Sequence, residues 1–73
     1  MDGIIEDLKA VLVAKHGFSK EESEQLLNMY PDVKELAMMA ASIAPPQNRN
    51  GVINGAAKIL IDRRSRDASQ PLH

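Results

Sequence analysis

The stretch DVKELAMMAASIA, residues 32–44, decides how this chain folds, because its last nine residues carry no charge. Asp32 can cap a helix here, Glu35 three residues later completes a capping box, and two prolines after Ala44 stop it. The predicted helix, residues 33–44, is apolar nearly all round, whereas a surface helix shows one apolar stripe. It therefore needs cover on several sides, from neighbouring helices, a second copy or a partner.

Two shorter helices are predicted ahead of this stretch. Apolar residues recur at helical spacing through residues 3–16, and Gly17 supplies the left-handed conformation that ends many helices. Ser19, with a glutamate three residues later, forms a capping box for residues 20–29, which Pro31 ends. Because the connection between the two helices is so short, we expect an N-terminal helical hairpin.

The segment after the central stretch has two interpretations. A polar linker rich in proline and asparagine leads to residues 52–64, where apolar residues recur at helical spacing. Asn54 and Gly55 could instead turn a short hairpin. We favour a helix because the first arm of that hairpin would be very short, and we expect residues 65–73 to form a disordered tail. The fold class is thus all-α: a small domain of three to four helices, residues 1–64, with a flexible C-terminal tail.

Size and composition point towards association. A chain of 73 residues buries only a thin core, and with no cysteine it cannot form a disulfide. Contact with a partner or a second copy is a natural source of further stability. The absence of cysteine fits a reducing compartment, and the chain has neither the long apolar run of a membrane span nor a signal-peptide start. We therefore expect a soluble, cytoplasmic protein.

Charge is divided unevenly along the chain, although the net charge is only −1. Residues 1–44 carry four lysines against eight acidic residues, a balance of −4, whereas residues 45–73 carry five basic against two acidic residues, a balance of +3. This asymmetry could steer the protein onto a charged partner, or it could pair the two halves of the chain with each other.

The sequence offers few groups for catalysis. It has no cysteine nucleophile, no glycine-rich phosphate loop and no His-Glu-x-x-His pattern. Of its two histidines, His16 lies at a helix end, where contact with the last carbonyls explains it, and His73 is the final residue. We expect no enzymatic activity, no metal site and no cofactor.

Nucleic-acid binding is the main alternative to protein binding. The second predicted helix would bring three glutamates against phosphate, and the third offers alanine and methionine where base edges need polar side chains. The remaining candidate is the basic C-terminal segment. Its basic residues are Arg49, Lys58, Arg63, Arg64 and Arg66.

Protein recognition is the function that the sequence favours. The central helix has more apolar surface than one neighbour can cover, and methionines adapt to the shape of a partner. We therefore expect an adaptor or inhibitor of a larger cytoplasmic protein, such as a bacterial transcription or replication machine. A third hypothesis is a homodimer formed through the same helix. The residues expected to bind the partner are Phe18, Met38, Met39 and Ile43 for apolar contact and Arg63, Arg64 and Arg66 for charge.

Residues 5–44 resemble ubiquitin-associated domains, which are compact three-helix units with a Gly-Phe turn after the first helix. Gly17 and Phe18 look like that turn. The resemblance implies the same three-helix packing for this part of the chain. His16 stands where that family usually has methionine, and we assign no family on this pattern.

Overall fold

Four α-helices and one short 3₁₀ turn make up the fold. The computed structural model describes residues 3–69 and contains no strand within them. This confirms the predicted all-α fold. The elements in chain order are α1 (Gly3–His16), α2 (Lys20–Met29), α3 (Pro31–Ile43), the 3₁₀ turn (Pro46–Asn48) and α4 (Arg49–Ser69).

The connection between α1 and α2 is built as the sequence predicts. Gly17 has a φ of 73°, and the Phe18 N–H donates to the Leu12 carbonyl at 3.2 Å. The Glu22 N–H donates to Ser19 Oγ at 3.0 Å, while the Ser19 N–H donates to Glu22 Oε1 at 2.9 Å. The hydrogen bond from the Ser19 backbone is the main cause that lowers the pKa of Glu22. Local signals alone therefore set the bounds of both helices.

The start of α3 differs from the expectation. The capping box at Asp32 is not formed: the helix begins at Pro31, and the preceding Tyr30 makes no side-chain capping bond. Proline is preorganised for the first helical position, so the helix begins before Asp32 and places that residue in its first turn. The Asp32 carboxylate instead accepts a hydrogen bond from Arg63 Nη1 at 2.5 Å.

The last helix is longer than predicted at both ends. It begins at Arg49 rather than residue 52, includes the Asn-Gly pair that could have turned a hairpin, and continues through residues 65–69, where a tail was expected. Contacts distant in sequence hold these ends: Arg49 Nη2 lies 2.8 Å from Asp7 Oδ2, and the Tyr30 hydroxyl donates to the Asp67 carboxylate. That hydrogen bond is the main cause that raises the pKa of Tyr30. Residues 70–73 of the expected tail lie outside the described residues.

The core lies where α4 packs against both α1 and α3. All four helices contribute to it, but α3 supplies only Val33 and Ala37 as fully buried residues, against four from α4. The helix that the sequence shows as apolar nearly all round is thus covered on one side, and much of its remaining apolar surface faces solvent. The buried apolar residues are Ile4, Ile5, Leu8, Leu12, Leu26, Leu27, Val33, Ala37, Ile53, Ala56, Ala57 and Leu60.

Candidate protein-binding surface

An apolar groove runs between α3 and α4. The two helices are antiparallel, because the Asp32–Arg63 contact joins the start of α3 to the far part of α4. The groove has a volume of about 260 Å³, and none of its lining residues carries a polar or charged side chain. Met39 and Ile43 lie on its α3 rim, since they follow Leu36 by three and seven residues. We call the following set the α3–α4 face: Leu36, Met39, Ala40, Ile43, Gly51, Val52, Gly55 and Ile59.

The floor of the groove exists because the facing residues are small. Ala40 on α3 lines the groove together with Gly51 and Gly55, which are one helical turn apart on α4. A Cβ atom added at either glycine would meet no atom of the protein within 4 Å, and neither glycine has a positive φ. Glycine in a helix interior is disfavoured by about 0.5–1 kcal/mol relative to alanine. No side chain of the protein occupies the space next to either glycine, so both leave the groove open.

Large apolar side chains border this open space. The exposed fractions are 53% for Leu36, 67% for Met39, 86% for Ile43 and 37% for Ile59. Only two other large apolar residues among residues 3–69 are exposed to this degree, and they lie on α1 and α2. Contiguous exposed apolar surface of this kind is typical of interaction sites.

Charged residues stand at the edges of the face and not within it. Glu35 precedes Leu36 on the outer rim of α3, and Lys58 precedes Ile59 on the outer rim of α4. Both are exposed, and neither forms an ion pair in the part of the chain that the structure describes. Asp62, one turn beyond Lys58, lies 3.1 Å from Arg66. The two rims therefore carry opposite, uncompensated charges.

The structure brings together only part of the predicted set of binding residues. Met39 and Ile43 share the α3–α4 face, whereas Met38 and Phe18 are partly buried against the core. The Arg64 guanidinium covers the Phe18 ring at 4.8 Å from its centroid. Phe18 and Met38 thus also make contacts within the chain, and the sequence does not show which apolar residues the core will use.

The predicted arginines make contacts within the protein. Arg63 binds Asp32 and also lies 5.8 Å from the centroid of the Tyr30 ring, at one end of the groove. Arg64 lies 3.7 Å from Glu22, on a different side of α4. Together with the Arg49–Asp7 pair, these contacts join the basic second half of the chain to its acidic first half. The hydrogen bond from Arg63 is the main cause that lowers the pKa of Asp32.

Sequence reasoning missed the α4 side of this face. Gly51, Gly55 and Ile59 recur every four residues, which on a helix places them along one side. That spacing was the available signal. It was obscured because an Asn-Gly pair also favours a hairpin turn.

Groups for other chemistry are sparse. No cluster of three or more His, Asp or Glu side chains in residues 3–69 could hold a metal ion. His16 lines a wide, open depression of about 640 Å³ together with Lys58, Asp62 and Ser65. This depression is larger than the groove, but its lining mixes charged and apolar side chains. We therefore treat the α3–α4 face as the candidate site.

Comparisons with known proteins add no further constraint. No protein-family model matches the chain, and no curated protein or solved structure is significantly similar to it. None of the helices in residues 3–69 combines the length and the apolar character needed to cross a membrane.

Proposed function

We propose that this protein is a non-enzymatic binding module that docks onto a larger cytoplasmic protein through the α3–α4 face, and that it acts there as an adaptor or inhibitor. The observation that carries the proposal is the open groove at Gly51 and Gly55. Gly55 lowers the stability of the helix interior, and neither glycine is required by a neighbouring atom at the position of its missing Cβ. The groove is thus open beside four exposed apolar side chains, those of Leu36, Met39, Ile43 and Ile59.

The chemistry of the face favours a helical segment as the docked element. An amphipathic helix lays its apolar side into such a groove, and small residues let the two backbones approach closely. Met39 can adjust to the shape of the incoming segment because its side chain is unbranched and flexible. The flexible Met39 side chain at the rim and the small residues on the floor of the groove thus supply complementary parts of one binding site.

Nucleic acid is the less favoured partner for two reasons. The α3–α4 face has no charge of its own, so it cannot neutralise phosphates. Of the five basic residues in the C-terminal segment, all but Lys58 lie within 4.0 Å of a carboxylate of the same chain. Binding phosphate would require those ion pairs to be given up.

The test compares two variants of matched chemistry. Met39→Ser combined with Ile43→Ser removes the apolar rim, whereas Met29→Ser removes a side chain that is 59% exposed at the end of α2. Each tagged protein is incubated with nuclease-treated bacterial lysate, and retained proteins are identified. We expect the wild type and Met29→Ser to retain the same protein at a constant ratio, and the double variant to lose it.

Affinity for the retained protein gives the quantitative result. Full burial of two such side chains contributes a few kcal/mol, so the double variant should bind roughly 30-fold or more weakly. Circular dichroism checks that the variant remains helical, as expected for side chains that are mostly exposed. Equal retention by a folded double variant would contradict the proposal, and so would retention found only in a parallel lysate without nuclease treatment.

A further inference from the structure

We propose that a second copy of this chain covers the α3–α4 face when no partner is bound, in a symmetric dimer whose two-fold axis runs parallel to α3 and α4. The inference rests on the proposed function, because it concerns the occupant of the same surface. One face cannot hold both occupants, so self-association would compete with partner binding.

The shape of the face is self-complementary. A two-fold interface uses the same patch on both molecules, so the patch must carry both protrusions and the space that receives them. Here Met39 and Ile43 protrude from the α3 side, while Gly51 and Gly55 leave space on the α4 side. A surface with only protrusions, or only a groove, would need a different molecule to fill it.

The direction of the two-fold axis follows because the protruding side chains lie on α3 and the open space lies on α4. Rotation about an axis parallel to the helices places α3 of one copy over α4 of the other. Asp32 on α3 contacts Arg63 on α4, so successive turns of these antiparallel helices bring Leu36 level with Ile59 and Ala40 level with Gly55. Met39 of one copy then comes over Gly55 of the second copy, and Ile43 comes over Gly51.

The rim charges support the same arrangement. Glu35 and Lys58 lie on opposite rims near the same end of the groove, and neither has an ion-pair partner among the described residues. The proposed axis brings Glu35 of each copy towards Lys58 of the other, which gives two equivalent ion pairs. An axis across the helices would place α3 on α3 and bring Glu35 towards the opposite end of that helix, where residues 40–44 carry no charge.

The properties of the whole chain are compatible with self-association. Its net charge of −1 produces little repulsion between copies. Its core is small, so burial of the α3–α4 face in a dimer would add to the stability of the fold by mass action. The exposed apolar surface is thereby protected until a partner displaces the second copy.

Sedimentation equilibrium of the purified full-length chain tests the proposal. Over about 1 μM to 1 mM at low salt, we expect a reversible monomer–dimer equilibrium. Gly55→Gln places a long polar side chain in the groove without disfavouring the helix, and it should weaken dimerisation at least about ten-fold. Met39→Ser with Ile43→Ser should do the same if Gly55→Gln does not fold, and Met29→Ser should leave the equilibrium unchanged.

A charge exchange tests the orientation. Glu35→Lys replaces two attractive contacts by two repulsive ones and should weaken the dimer roughly ten-fold at low salt. Combining it with Lys58→Glu should restore the dimer. A monomer at all concentrations would overturn the proposal, as would a dimer insensitive to Gly55→Gln or to the charge exchange. The two proposals can fail separately, because a wild-type chain that stays monomeric can still retain a partner from lysate, and a dimer can form without one.

Discussion

Replacing Gly55 by alanine should make the free protein more stable. The added Cβ atom meets no atom within 4 Å, and the residue lies in the interior of α4 without a positive φ. Only the helix preference then changes, which favours alanine by about 0.5–1 kcal/mol. For a domain of this size, that change raises the melting temperature by roughly 2–8 °C.

Urea unfolding followed by circular dichroism measures this change directly. The protein concentration must be low enough to keep the chain monomeric, because Gly55→Ala also narrows the groove and should weaken self-association. Gly55→Ala is thus expected to raise the stability of the monomer and to weaken dimer formation. Gly17→Ala is the matched control, since Gly17 has a φ of 73° and alanine there should destabilise the protein by about 1 kcal/mol. If Gly55→Ala destabilised the monomer, the glycine would serve the fold itself, and the argument for a functional groove would fail.

Three further predictions concern the fold. Leu60→Ala should lower the free energy of unfolding by about 2–5 kcal/mol, because Leu60 is fully buried; a loss below about 1 kcal/mol in urea would show that the core is not packed as described. Ser19→Ala should cost about 1 kcal/mol in the same assay through loss of the cap of α2, and an unchanged midpoint would contradict the capping role. The pKa of Asp32 is lowered in the folded state, so its stabilising contribution is present above about pH 4 and lost as the pH falls through the lowered value. Unfolding of Asp32→Asn should therefore depend less on pH below about 4 than unfolding of the wild type, and parallel pH profiles would contradict this.

The bounds of the first two helices could be predicted because their signals are local. Gly17 ends α1, and the Ser19–Glu22 capping box begins α2, so the observed spans of residues 3–16 and 20–29 match the prediction. Both signals act over three or four residues and do not depend on the rest of the fold.

The bounds of α3 and α4 depend on more than the sequence signals next to them. Pro31 both ends α2 and begins α3, but the sequence pattern predicts only that it ends α2. The ends of α4 are stabilised by Asp7 and Tyr30, which lie far away in the sequence. No local pattern in residues 45–73 shows those contacts.

The candidate site was predicted in part for a similar reason. An excess of apolar residues in α3 indicated that some of them would face solvent, and Met39 and Ile43 do. Which residues the core takes depends on how α4 packs, so the sequence does not show that Met38 and Phe18 also contact the core. The groove itself requires α3 and α4 to lie side by side, which the sequence does not specify.

Binding through the α3–α4 face is tested most directly by an NMR titration of the isotope-labelled protein. Backbone amide spectra are recorded as the protein's own concentration is raised, and again with the protein retained from lysate. In both titrations we predict shift changes concentrated in residues 35–43 and 51–59, while residues 8–27 of α1 and α2 remain unchanged. Shift changes centred on α1 and α2, or an unchanged α3–α4 face in both titrations, would contradict the account.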